Sequence, residues 1–128
     1  MKNILLVPVL LLAVINPAVA ADKIKIGFLS TLSGPAAALG VDIRDGFNLA
    51  IKHQGGRLGG LPVDMIVGDD TFSPDVAKQL TDRMLKRDDV HIMTGIVFSN
   101  ILLAVAPSVF QDQTFYVSPN AGPSELAG

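Results

Sequence analysis

The chain contains no cysteine and no tryptophan, a single tyrosine and only two histidines in 128 residues. Without cysteine there is no disulfide framework and no lipid-modified amino terminus, so the fold depends on a packed core. His53 and His91 stand alone, with no cysteine or acidic partner at metal-ligand spacing, and read as surface or strand-end residues. Catalytic signatures are missing as well. No G-x-S-x-G elbow and no H-E-x-x-H occurs, and the glycines of "GGRLGG" follow a helix and miss the G-x-G-x-x-G spacing of a dinucleotide site. No residue is therefore read as catalytic, as a metal ligand or as a cofactor ligand. Charge of one sign is scarce too, with no long basic or acidic run, so nothing here recruits nucleic acid.

What the chain does have at its start is "MKNILLVPVLLLAVINPAVA": Lys2, an apolar stretch over 4–15, and the small residues Ala18 and Ala20 around Val19. This is the pattern of a secretory signal cleaved after Ala20. The apolar stretch is too short and too interrupted by proline to span a bilayer, which takes about 20 apolar residues. Processing leaves nine basic and twelve acidic side chains, a formal charge of −3, and a part long enough for one small domain. A bacterial periplasm is the expected compartment.

Beyond the signal, apolar runs alternate with amphipathic ones. "IKIGFLS" (24–30) reads as a strand buried on both faces. A polar loop, "TLSGPAAALG", leads into a helix over about 37–54, with Leu39, Ile43, Phe47, Ala50 and Ile51 on one face. "GGRLGG" stops that helix, and "PVDMIVGDD" (62–70) is the second strand. Ser73, Pro74 and Asp75 give the next helix its N-cap, its first residue and an acid in its first turn. Val76, Leu80 and Met84 form the stripe of that helix, and Lys86 and Arg87 sit at its cation-favouring end. "VHIMTGIVF" (90–98) is the third strand. A third helix follows over about 100–110, with Leu102, Val105, Ala106 and Val109 inward and Pro107 expected to kink or split it. "TFYVS" (114–118) is the fourth strand. The alternation predicts an α/β fold, a parallel sheet with helices on both faces, for which the doubly wound order 2-1-3-4 is taken.

That order reverses between the first and third strands, and ligands of such sheets bind outside the carboxyl ends of the strands at the reversal. The loops that meet there are "TLSGPAAALG", "FSN" and "PNAGP". Ser99 is expected at the N-cap of the third helix, whose free amides and positive dipole end suit a carboxylate or another anion. Simple capping is the competing reading of Ser99. Asp69 and Asp70 are read as loop-solvating or capping residues, not as a Mg²⁺ site.

"KIKIGFLSTLSGPAAALG", "GDDTFSPDVAKQL", "TGIVFSNILLAVAP" and "YVSPNAGPSELAG" together resemble the amino-terminal part of the type I periplasmic solute-binding proteins of ABC importers, the leucine/isoleucine/valine-binding kind. The resemblance implies two α/β lobes closing on a small solute, the first lobe holding its carboxylate. It places Ser99, with its neighbour Asn100, at the serine that gives a hydroxyl and an amide to the carboxylate. Asn120, Ala121 and Gly122 fall in the ligand-contacting loop after the Ser-Pro pair, and Leu39 falls where members set a side chain against the solute's apolar part. Gly122 stands where amino-acid binders often carry threonine, and "SPNAGPS" is similar to members that take up aromatic or other organic acids. Membrane subunits of a transporter are the implied partners.

The same resemblance implies a chain shorter than a two-lobed protein: a signal over 1–20 and the first segment of lobe one over 21–128. Weak or no solute binding by this segment alone, and aggregation or marginal stability from an uncovered edge at the fourth strand, are then expected. Two other readings, an extracytoplasmic sensor domain of the same fold and an exported α/β enzyme, lack respectively a signalling segment and a nucleophile with its base.

Overall fold

The computed structural model describes residues 22–127, so the expected export signal lies outside the described residues. In chain order the elements are β1 (Ile24–Ser30), α1 (Ala37–His53), β2 (Arg57–Leu58), β3 (Leu61–Asp69), α2 (Pro74–Lys86), β4 (Ile92–Thr94), α3 (Ser99–Gln111) and β5 (Phe115–Val117). They form one sheet in the order β2-β3-β1-β4-β5. Its four longer-range strands, β3-β1-β4-β5, are parallel and keep the expected order.

The two-residue β2 is an addition. It runs antiparallel to β3, Arg57 opposite Pro62 and Leu58 opposite Leu61, because Gly55, Gly56, Gly59 and Gly60 all take positive φ and fold the chain back. "GGRLGG" thus ends α1 and also builds a hairpin, which makes the sheet mixed instead of purely parallel.

The faces of the sheet follow from its register. Ile26, Met65 and Ile92 form one row and Phe28, Val67 and Thr94 the next. The Phe28 ring lies 5.7 Å from that of Phe47, so these rows look toward α1. Alternate positions, Gly27 and Gly68, lie against Met84 of α2, and Leu29 and Met93 join the core beneath α2 and α3. Burial on both faces is what the unbroken apolar run of β1 predicts.

Four local expectations are corrected. β4 stops at Thr94 instead of reaching Phe98, since Gly95 turns to φ +100° and a side chain there would lie 2.8 Å from the Leu29 carbonyl oxygen. Pro107 sits inside an unbroken α3. Both Pro107 and Leu103, whose carbonyl loses its helical partner, are exposed, so water can satisfy that carbonyl. In α2 the fully buried residues are Ala77, Thr81, Met84 and Leu85, while Val76 and Leu80 are half-buried. Along α1 only Gly40 is fully buried, and Leu39 and Leu49 are half exposed. One local expectation holds in full: the Ser73 hydroxyl accepts from the Val76 amide at 3.4 Å, with Pro74 as the first helical residue.

Candidate functional site

The end of β1 is fastened to the end of β3 by two adjacent carboxylates. Asp69 Oδ1 accepts from the Leu32 amide at 2.8 Å and the Thr71 amide at 2.9 Å, while Asp70 Oδ1 accepts from the Thr31 hydroxyl at 2.5 Å and the Phe72 amide at 2.8 Å. The pair therefore caps a turn and clamps the loop after β1, as the capping reading required. Burial pushes the Asp69 carboxyl up, but hydrogen bonds from the Ser33 hydroxyl and the amides of Leu32, Thr71 and Ser33 outweigh it and leave its pKa lowered. Asp70 is fully buried with Oδ2 unpartnered, and burial raises its pKa against the bonds from Thr31 and Phe72. Gly40 closes this corner. A Cβ there would lie 2.7 Å from the Ser30 hydroxyl and closer still to the Thr31 carbonyl oxygen, so only glycine lets α1 begin against the end of β1. Leu39, the preceding residue, is left 52% exposed beside that loop.

Ser99 is not the N-cap of α3. That position is held by Phe98, in extended geometry and with no side-chain cap bond, and Ser99 is the first helical residue. Phe98 carries no oxygen on its side chain, so the first-turn amides of α3 have no capping acceptor and are left to water or to a ligand. Ser99 and Asn100 are both exposed at this end. The capping reading of Ser99 falls with this geometry.

The loop after β5 lies alongside. The Asn120 side-chain amide donates to the Val97 carbonyl at 2.8 Å and the Ala121 amide to the Ile96 carbonyl at 3.4 Å. The Ala121 carbonyl accepts from the Ser118 hydroxyl, and Ala121 is buried. Asn120 and Ala121 thereby tie their loop to the segment just before Ser99, while Gly122 stays exposed with open space around it. The structure so brings Ser99, Asn100, Asn120, Ala121 and Gly122 to one corner, with Leu39 in the first turn of α1 at the same sheet edge.

At Ser99 and Asn100 this corner is an open surface, while Ala121 and Gly122 border a cavity. This cavity of about 650 Å³ lies between α3 and the segment after β5, lined by Leu102, Phe110, Tyr116, Ala121, Gly122 and Leu126, and does not include Ser99, Asn100 or Leu39. Among the described residues no group of three or more His, Cys, Asp or Glu side chains could hold a metal ion, and no helix is long and apolar enough to cross a membrane.

One feature beside Ser99 escapes a reading of the sequence. Thr71 and Phe72 are consecutive non-glycine residues at φ 50° and 62°, and the Phe72 ring packs edge-on against Phe98. Such conformations cost about 1–3 kcal/mol each. The available signal was a large aromatic in a turn otherwise made of Asp, Thr, Ser and Pro.

The sequence pattern of the periplasmic binding protein family matches residues 23–128. A Leu/Ile/Val-binding protein homolog 6 of Brucella abortus is 26% identical over 98% of this chain and 33% of its own length. Among solved structures, an ABC transporter substrate-binding protein from Sphaerobacter thermophilus is 36% identical, with a TM-score of 0.78 over 82% of this chain and 28% of that one. A solute-binding protein of an ABC transporter from Rhodopseudomonas palustris BisB5, in complex with 3,4-dihydroxybenzoic acid, is 29% identical, with a TM-score of 0.77 over 81% of this chain and 29% of its own. The chain thus spans about a third of the length of the curated relatives it matches.

Proposed function

We propose, since this chain belongs to the periplasmic binding protein family, that it contributes the carboxylate-facing wall of a solute-binding protein that serves an ABC importer in the periplasm. The solute is a small carboxylate, an aromatic or other organic acid ahead of a branched-chain amino acid. Uncapped first-turn amides beside the exposed Ser99 and Asn100 carry this reading, because an anion is the ligand that a helix end of this kind accepts. Gly122 brings no hydroxyl for an α-ammonium group, and Leu39 offers apolar surface near the same edge. The bound 3,4-dihydroxybenzoic acid of the Rhodopseudomonas relative supports the same class. Asn120 and Ala121 have their side chain and backbone engaged within the protein, so their part is to hold the wall in place, with Gly122 free to approach the solute. In this reading residues 1–20 direct export, residues 21–128 belong to the first lobe, and transporter membrane subunits receive the loaded two-lobed protein.

A thermal-shift panel of benzoate-type acids, short dicarboxylates, branched-chain amino acids and neutral amides, run on the complete two-lobed protein, tests the proposal. Binding to the folded state adds about 2.7 kcal/mol of stability at one hundred times Kd. The expected result is a rise in Tm with one acid class, reduced in Ser99→Ala. A rise with the neutral amides alone, or none with any acid, contradicts it.

A further inference from the structure

The turn between β3 and α2 is built at a cost with no evident local return. Thr71 and Phe72 both lie in the left-handed region, which disfavours β-branched and bulky residues. Each is held there by a carboxylate, the Thr71 amide donating to Asp69 and the Phe72 amide to Asp70. Phe72 nevertheless leaves 48% of its surface in water. Glycine would make this turn without strain, and a polar residue would make it without exposing a ring.

What the arrangement does achieve is one contact. The Phe72 ring meets Phe98 edge-on, with centroids 4.7 Å apart and planes at 82°. Phe98 packs against the core, its carbonyl accepts the Leu102 amide at 3.0 Å to open α3, and it immediately precedes Ser99. A helix end without a side-chain cap is held by whatever fixes the residue at the cap, and here an aromatic partner on a neighbouring loop does so.

We propose that Phe72 is a positioning residue for the ligand end of α3: through Phe98 it fixes the first turn and hence the aim of the Ser99 hydroxyl and the free amides. That this fixing serves solute capture rests on the function proposed above. The fixing itself does not.

Amide hydrogen exchange on this chain, read residue by residue by NMR, tests it. Phe72→Ala should speed exchange at Leu102, the first hydrogen-bonded amide of α3, by about tenfold while Val109 in the same helix changes little. Phe72→Tyr should keep the parent rate. Phe72→Gly removes the ring but relieves the left-handed strain, so it should keep the parent Tm and still show fast exchange at Leu102. Unchanged exchange at Leu102 in Phe72→Gly, or equal acceleration at Leu102 and Val109, overturns the proposal. A parallel titration with benzoate separates the two readings: if the parent binds none, solute capture fails while the exchange result still decides the role of Phe72.

Discussion

Two serines stand at helix starts in this chain and do different work. Ser73 caps α2 through its hydroxyl, so Ser73→Ala should cost about 1 kcal/mol of stability. Ser99 caps nothing, so Ser99→Ala should change stability by less than about 0.5 kcal/mol in chemical denaturation, yet weaken carboxylate binding by about ten- to a hundredfold, the loss of a hydrogen bond to a charged group. The neighbouring aspartates should respond to pH in opposite senses. The pKa of Asp70 is raised above 3.8 in the folded state, so its contribution to stability is greatest in acid and falls as pH rises from 3.8 through the folded value. Asp70→Asn, which stays neutral and can still accept through Oδ1, should therefore gain on the parent as pH rises toward neutrality. The pKa of Asp69 is lowered, so its contribution is present above 3.8 and is lost as pH falls through the folded value. Asp69→Asn should be less stable than the parent at neutral pH, with the gap closing in acid. Melting curves of both variants from pH 3 to 8 check the two signs. The sequence showed Ser99 and the aspartate pair as candidates, because their residue types are scarce in apolar strands. It did not show that a phenylalanine would hold the cap position, since a difference of one residue at a helix end depends on where β4 stops.

At the scale of the elements, α3 tolerates Pro107 because its solvent face carries the break. Pro107→Ala restores an amide donor to the Leu103 carbonyl and should raise stability by about 1 kcal/mol, below the ~3 kcal/mol of an ordinary helix-interior proline because water already serves that carbonyl. Gly40→Ala should have the opposite effect. A methyl group driven into the Thr31 carbonyl and the Ser30 hydroxyl should cost about 1–3 kcal/mol and displace the loop after β1, which a shift of the Thr31 and Leu32 amide resonances would report. Helix spans were legible because each rests on local periodicity summed over many residues, and strand order because alternating strands and helices favour few parallel arrangements. The early end of β4 was not, since Gly95 turns where the carbonyl of Leu29 blocks a side chain, a contact between residues far apart in sequence. Nor was β2, whose two residues are too short to carry a pattern. Leu39, on the expected stripe of α1, is half exposed because a periodic stripe reports which residues share a face and not what covers it.

Over the whole molecule, burial is uneven. α2 and α3 cover one face of the sheet, while Phe115 at 66% and Val117 at 46% remain exposed on β5, an edge strand among the described residues. An exposed apolar edge favours association, so scattering should show concentration-dependent self-association that Phe115→Lys reduces. Solute capture at the proposed carboxylate corner of Ser99, Asn100 and the loop at 120–122 would be a weak open-surface interaction in this chain, within reach of NMR. The most direct measurement is an amide-resonance titration of this chain with benzoate, run beside benzyl alcohol, a neutral analogue of similar size. Saturable shifts at Ser99, Asn100 and Gly122 with benzoate, absent with the alcohol and lost in Ser99→Ala, are the predicted result. Equal shifts with both compounds, or shifts confined to the cavity around Phe110 and Leu126, would contradict a carboxylate site at the start of α3.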